Sequence, residues 1–154
     1  MPQGVDLAAF IEPGVAMLGA SADDDLVPEA FRVFGVSWDT DGHLRALISS
    51  DATRTLATVK PGTWLCFTFT DMALRSVQVK GRALSDPELP GRADVELMRR
   101  YRIKIIAACR TRGLSPLLIE AIRPLSAFAV TVAVEELYDQ TPGPTAGARF
   151  GEQP

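Results

Sequence analysis

Apolar residues recur along this chain mostly at every second position, in short runs set off by turn-forming residues, the pattern of strands with one buried face. The clearest run is residues 74–83, where Ser76, Gln78, Lys80 and Arg82 share one face and Val77, Val79, Gly81 and Ala83 share the other. One face of such a strand enters a core, and the other presents a row of hydrogen-bond donors suited to an anionic or amide-rich ligand. Five more segments read as strands: 15–20, entered through Pro13-Gly14, then 31–38, 44–49, 63–70 and 125–134. Segments 31–38 and 44–49 form a hairpin, because Asp39-Thr40-Asp41-Gly42 supplies residues that tolerate a tight turn. In 63–70 the core face is Leu65, Phe67 and Phe69; in 125–134 it is Phe128, Val130, Val132 and Val134.

The period changes in three places. Residues 52–59 read as a short helix, capped by Ser50 or Asp51 and stopped by Pro61-Gly62. Residues 93–112 carry Val95, Met98, Tyr101, Ile105 and Ala108 at spacings of three and four, one apolar stripe on a helix, with Arg99, Arg100, Arg102 and Lys104 on its solvated flanks. Ser115-Pro116 has the cap-then-proline order that opens a second short helix, to about Ile122. From Gln140 the chain is rich in Pro, Gly, Thr and Ala, an irregular arm. The expected organisation is one β-rich α+β domain over residues 1–139 followed by an arm over 140–154.

Composition narrows the function classes. With 154 residues, 47% hydrophobic and 23% charged, the chain is long enough to bury a core and too apolar for a disordered polymer. A net charge of −3 argues against a nucleic-acid partner, which demands excess basic charge. No apolar run is long enough for a membrane span, and the first residues lack the basic-then-apolar order of a secretory signal, so the expected location is cytoplasmic and off the membrane. Cys66 and Cys109 have neither metal-ligand nor disulfide spacing and read as small buried hydrophobes. His43 reads as a turn residue without catalytic partners. Asp23-Asp24-Asp25 reads as a solvated loop, since three adjacent carboxylates cannot converge on one ion; no metal site is expected.

The run Ser49-Ser50-Asp51-Ala52-Thr53-Arg54, followed by a strand and then Arg75-Ser76-Val77-Gln78-Val79-Lys80-Gly81-Arg82, resembles the pyridoxamine 5′-phosphate oxidase-like, FMN-binding split-barrel superfamily. Tyr138 to Gly147 resembles a tail of some bacterial members, and the likeness runs over residues 12–149. It implies a six-stranded antiparallel split β-barrel with flanking helices, paired as a homodimer with FMN at the subunit interface. Carried over by position, Ser49, Ser50 and Arg54 would hold the FMN phosphate, Arg32 falls near a flavin-binding arginine, and Ser76 stands where the oxidase has a glutamine. Gln78 lies on the same face, and Lys80 or Arg82 would compensate for Thr55, which replaces the family's phosphate-loop lysine. The oxidase's carboxy-terminal substrate-gripping signature is missing, which removes pyridoxamine phosphate as the expected substrate. The resemblance therefore implies an FMN-dependent oxidoreductase acting on another small molecule, or alternatively a non-catalytic flavin-binding, sensor or scaffold protein. Deazaflavin and haem, bound by related barrels, stand behind FMN; His43 is a poor axial ligand for haem.

Overall fold

The structure is a computed structural model that describes residues 6–115, 117 and 126–151. Six antiparallel strands close into a barrel: β1 (Ala16–Ala22), β2 (Pro28–Trp38), β3 (Leu44–Ser49), β4 (Trp64–Thr70), β5 (Ser76–Ala83) and β6 (Ala127–Asp139), ordered β1-β2-β3-β6-β5-β4. Among the described residues three helices flank it, α1 (Leu7–Ile11), α2 (Thr53–Thr58) and α3 (Arg92–Thr111). The fold class and all six strands expected from the alternation are present. The helix expected from Ser115 falls largely on residues 116 and 118–125, outside the described residues.

Alternation puts Leu44, Ala46 and Ile48 of β3, Leu65, Phe67 and Phe69 of β4, and Val79 of β5 inside the barrel, all essentially fully buried. The Phe31 and Phe67 rings meet edge to face at 6.3 Å in the middle of this core. A second layer forms where Leu97 and Met98 of α3 cover Phe34, Leu47, Ala127 and Ala129 on the outside of β2, β3 and β6.

Three of the departures from the sequence pattern have a local reason. Strand β6 runs to Asp139 rather than ending at Val134, because a bulge shifts its pairing with β5 between Lys80↔Glu136 and Gly81↔Val134 and returns Leu137 to the core. Gly81 sits at that bulge, where a Cβ would stand 2.1 Å from the Ala133 carbonyl oxygen; only glycine permits this approach. Helix α2 begins at Thr53 with Ala52 as its N-cap and no side-chain cap, so neither Ser50 nor Asp51 fills that role. Its first amides are satisfied instead by Glu29 from β2. Helix α1, invisible to periodicity at five residues, is capped by the Asp6 side chain, which accepts from the Ala9 N–H at 3.0 Å.

Candidate ligand-binding face

Among the described residues no helix lies across the outer face of β4 and β5, so the outward row expected on β5 belongs to a wider uncovered sheet. Register places Arg32, Leu18, Thr68, Gln78 and Tyr138 in one rank across β2, β1, β4, β5 and β6. The neighbouring rank is Ala20, Cys66, Lys80 and Glu136. Small residues form its centre and large ones its edges: Leu18 is 57% exposed and Trp64 41%. A 400 Å³ hollow on this face is lined by Ala20, Ala22, Trp64, Cys66, Lys80 and Glu136, and a 310 Å³ hollow beside it by Leu18, Ala30, Arg32 and Asp51.

The cations on this face are stacked on aromatic rings. Lys80 Nζ lies 4.7 Å from the centre of the Tyr138 ring, and the Arg82 guanidinium 4.4 Å from that of Trp64. Arg82 Nε also pairs with Glu135 at 3.3 Å. Burial pushes the Cys66 thiol up from its ordinary pKa, and the Lys80 charge offsets part of that rise, so Cys66 is no ready thiolate.

Of the β5 row, Ser76 is only 6% exposed, because the chain after β6 folds back over it. Its hydroxyl shares a hydrogen bond with Thr70 Oγ1 at 2.9 Å, its N–H donates to Thr141 Oγ1 at 3.0 Å, and its carbonyl accepts the Gln140 N–H at 2.8 Å. Gln140 Nε2 in turn donates to Gln78 Oε1 at 3.5 Å. The Pro/Gly-rich segment is thus an ordered part of this face. Asp139 organises it, Oδ1 accepting the Thr141 N–H and Oδ2 the Thr145 hydroxyl, both at 2.8 Å.

The remaining expected residues gather at one end of the barrel, where α2 meets β1, β2 and β3. Glu29 Oε2 accepts the Thr55 N–H at 2.6 Å, and Oε1 the Arg54 N–H at 3.3 Å. The Arg54 guanidinium donates to Asp23 Oδ2 at 2.5 Å, and that of Arg32 to Asp51 Oδ2 at 3.2 Å. Ser50 Oγ accepts from Ser126 Oγ at 2.7 Å. Ser49 Oγ is buried and makes no hydrogen bond of good geometry among the described residues, though it lies close enough to Asp51 to be the main influence lowering that carboxyl. Thr55 is fully buried, its hydroxyl bonded to that of Ser21 at 2.9 Å.

Burial pulls the Glu29 carboxyl up, but the Thr55 N–H and hydroxyl and the Arg54 N–H outweigh it and hold the group below its ordinary range. Asp23 is held low too, first by the Val27 N–H and then by Arg54. The structure therefore brings Arg32, Ser49, Ser50 and Arg54 to one corner, and Gln78 and Lys80 to a separate region. Arg32 and Gln78 stand three strand spacings apart, about 14 Å. Sequence reasoning missed Asp23 and Glu29. The signal was faint: Asp23 reads with Asp24 and Asp25 as a solvated loop, and Glu29 follows Pro28 without a pattern of its own.

The other expected surface features are simple. His43 Nδ1 pairs with Asp39 Oδ2 at 2.9 Å, while Asp39 Oδ1 accepts the Asp41 and His43 N–H groups, so these residues close the β2–β3 turn. Asp23 Oδ1 does the same for its own loop, accepting from the Asp25 and Val27 N–H groups.

No family model matches the chain, and no curated protein sequence matches it either. Solved structures do. HupZ of Group A Streptococcus aligns with 92% of this chain and 97% of its own at a TM-score of 0.50 and 16% identity. A single-site variant of HupZ aligns with 88% and 98% at 0.51 and 15%. A protein of Lactobacillus delbrueckii, provisionally described as a pyridoxamine 5′-phosphate oxidase, aligns with 89% and 93% at 0.50 and 14%. The fold is the split barrel. Identities this low carry the fold and no more. No helix among the described residues is long and apolar enough to cross a membrane.

Tested against the phosphate of FMN, the α2 corner does not fit as formed. Two backbone N–H groups and the Arg54 guanidinium already serve Glu29 and Asp23, and Thr55, which the resemblance matches to a phosphate-loop lysine, is fully buried. Any incoming phosphate would have to displace carboxylates that stay ionised beside it.

Proposed function

We propose that this chain is a flavin-binding protein of the split-barrel kind, paired as a homodimer, with the flavin ring held against the uncovered sheet face. The observation that carries this reading is the face itself: an unobstructed shelf of small residues edged by Gln78, Lys80, Tyr138 and Trp64, donors and aromatic planes suited to a flat, amide-rich heterocycle. Pairing supports it too. The Arg32 corner and the Gln78 region lie about 14 Å apart within one chain, and a twofold partner would bring one copy's corner to the other's β5. An isoalloxazine held there supplies the redox chemistry, while the protein supplies position and hydrogen bonds. The function is then that of a flavin-dependent oxidoreductase acting on a small molecule other than pyridoxamine phosphate.

A second reading, a flavin-holding sensor or scaffold without turnover, is favoured by one observation. The acidic corner denies FMN its usual phosphate grip, and a protein that needs no tightly held redox cofactor loses nothing by that. The deciding experiment is the absorption spectrum of the purified protein and its quenching of flavin fluorescence, followed by reduction with NADH or NADPH. Flavin binding with turnover supports the oxidoreductase, and binding without turnover supports the sensor. A dimer that quenches no flavin ends both.

A further inference from the structure

We propose that Asp23 and Glu29 occupy, as built-in anions, the seat that a flavin phosphate would take, and that the chain selects a flavin bearing an uncharged polyol tail over its phosphorylated form. The inference rests on the flavin reading above and names the ligand class of that site.

The donors at the α2 corner are directed first at carboxylates of this chain. Glu29 takes the Arg54 and Thr55 N–H groups, Asp23 takes the Arg54 guanidinium, and Asp51 takes that of Arg32. Helix α2 is six residues long and without a side-chain cap, so its own dipole adds little pull on an anion. The local charge is also acidic: Asp23, Asp24, Asp25, Glu29 and Asp51 outnumber Arg32, Arg54 and Lys60, the last already paired with Asp24 at 3.2 Å. A dianion entering here meets repulsion from these carboxylates and has to compete with them for the two guanidiniums. A hydroxyl chain meets the reverse. Asp23 Oδ2 and Glu29 Oε1 each accept one hydrogen bond and keep a lone pair for a hydroxyl hydrogen, a charge-assisted hydrogen bond that leaves the existing pairs intact.

The test is a pair of fluorescence-quenching titrations of the full chain, with riboflavin and with FMN, at one ionic strength. Riboflavin should bind the tighter by roughly tenfold or more, a ratio that corresponds to about 1.4 kcal/mol. The doubly substituted D23N/E29Q chain keeps one acceptor oxygen at each position, enough for the Asp23 turn and for one of the two α2 N–H groups, and a thermal melt checks that the fold persists. It should gain FMN affinity and lose the preference. Asp41→Asn, at an exposed carboxylate in the β2–β3 turn at the other end of β2 from Glu29, should leave the preference unchanged. FMN binding as tightly as riboflavin to the wild-type chain overturns the inference and leaves the flavin reading standing. Failure to bind either flavin removes that reading and this inference together.

Discussion

Arg45 and Asp94 meet through two parallel hydrogen bonds, Nε to Oδ1 and Nη2 to Oδ2, each 2.8 Å. Asp94 Oδ2 also accepts the Gly91 N–H at 2.9 Å, and Arg45 Nη1 reaches Glu88 at 2.6 Å. One arginine on the outer face of β3 thus fixes the first turn of α3 and the connection that leads into it. The Arg45 guanidinium is the main influence holding the Asp94 carboxyl below its ordinary value, against the burial that raises it. Asp94→Ala should destabilise the fold by about 2–3 kcal/mol in urea denaturation, because it removes the cap and leaves a half-buried cation short of a partner.

The same pair sets an acid limit. Because the folded pKa of Asp94 lies below the reference value of 3.8, its contribution is complete above that value and fades as pH falls through the lower folded one. Stability of the wild-type chain measured across this range should fall more steeply than that of Asp94→Asn. Parallel curves would show that the ionised pair contributes nothing.

Residues after β6 pack back onto the barrel. Ala148 accepts the Asp139 N–H at 2.9 Å, Leu137 accepts the Phe150 N–H at 2.9 Å, and the Phe150 ring lies against the core. Phe150→Ala should cost about 1–3 kcal/mol from lost packing. Removal of residues 140–154 should cost more and, if this segment also meets a partner as the sequence leads one to expect, weaken the dimer in sedimentation. A truncated chain as stable and as dimeric as the full one would make the segment a passive tail.

Tyr101, under α1 and against β1, has its phenol pushed up to about 12, chiefly by burial and then by Cys109, with a hydrogen bond from the Met17 backbone pulling the other way. The neutral phenol is the form the fold stabilises, so its contribution is complete below the reference value of 10.0 and is lost as pH rises through about 12. Spectrophotometric titration of the native chain should show one of the two tyrosines, Tyr101, ionising late, and Tyr101→Phe should remove that phase. Ionisation of Tyr101 near the ordinary value would contradict the buried placement.

The homodimer proposed above places Leu18 and Trp64 at its interface, because they are the large apolar side chains left on the uncovered face. Leu18→Lys together with Trp64→Ala should yield a monomer by sedimentation while the far-ultraviolet spectrum keeps its strand signal. A variant that stays dimeric would move the interface elsewhere on the barrel.

How much of this was legible in the sequence follows from how far apart the interacting residues lie. The alternation of Ser76 to Ala83, the stripe on α3 and the turn at Asp39 to Gly42 were readable because each is settled by the burial of neighbouring side chains and by local backbone preference. The closure of β1 on β4, the pairing of β3 with β6 and the bulge at Gly81 depend on which strands meet, and distant packing decides that. The α2 corner shows the division most sharply. Its donors, Arg54 and the start of α2, could be found from local sequence. Their acceptors could not: Glu29 lies 26 residues before Thr55, and Asp23 lies 31 before Arg54. The sequence by itself determined that this chain folds into strands with one polar row and carries an arginine at a helix start. Only the tertiary structure decided that the arginine is already answered by the chain's own carboxylates, because a hydrogen bond forms between groups that folding brings within about 3 Å, however far apart they stand along the chain.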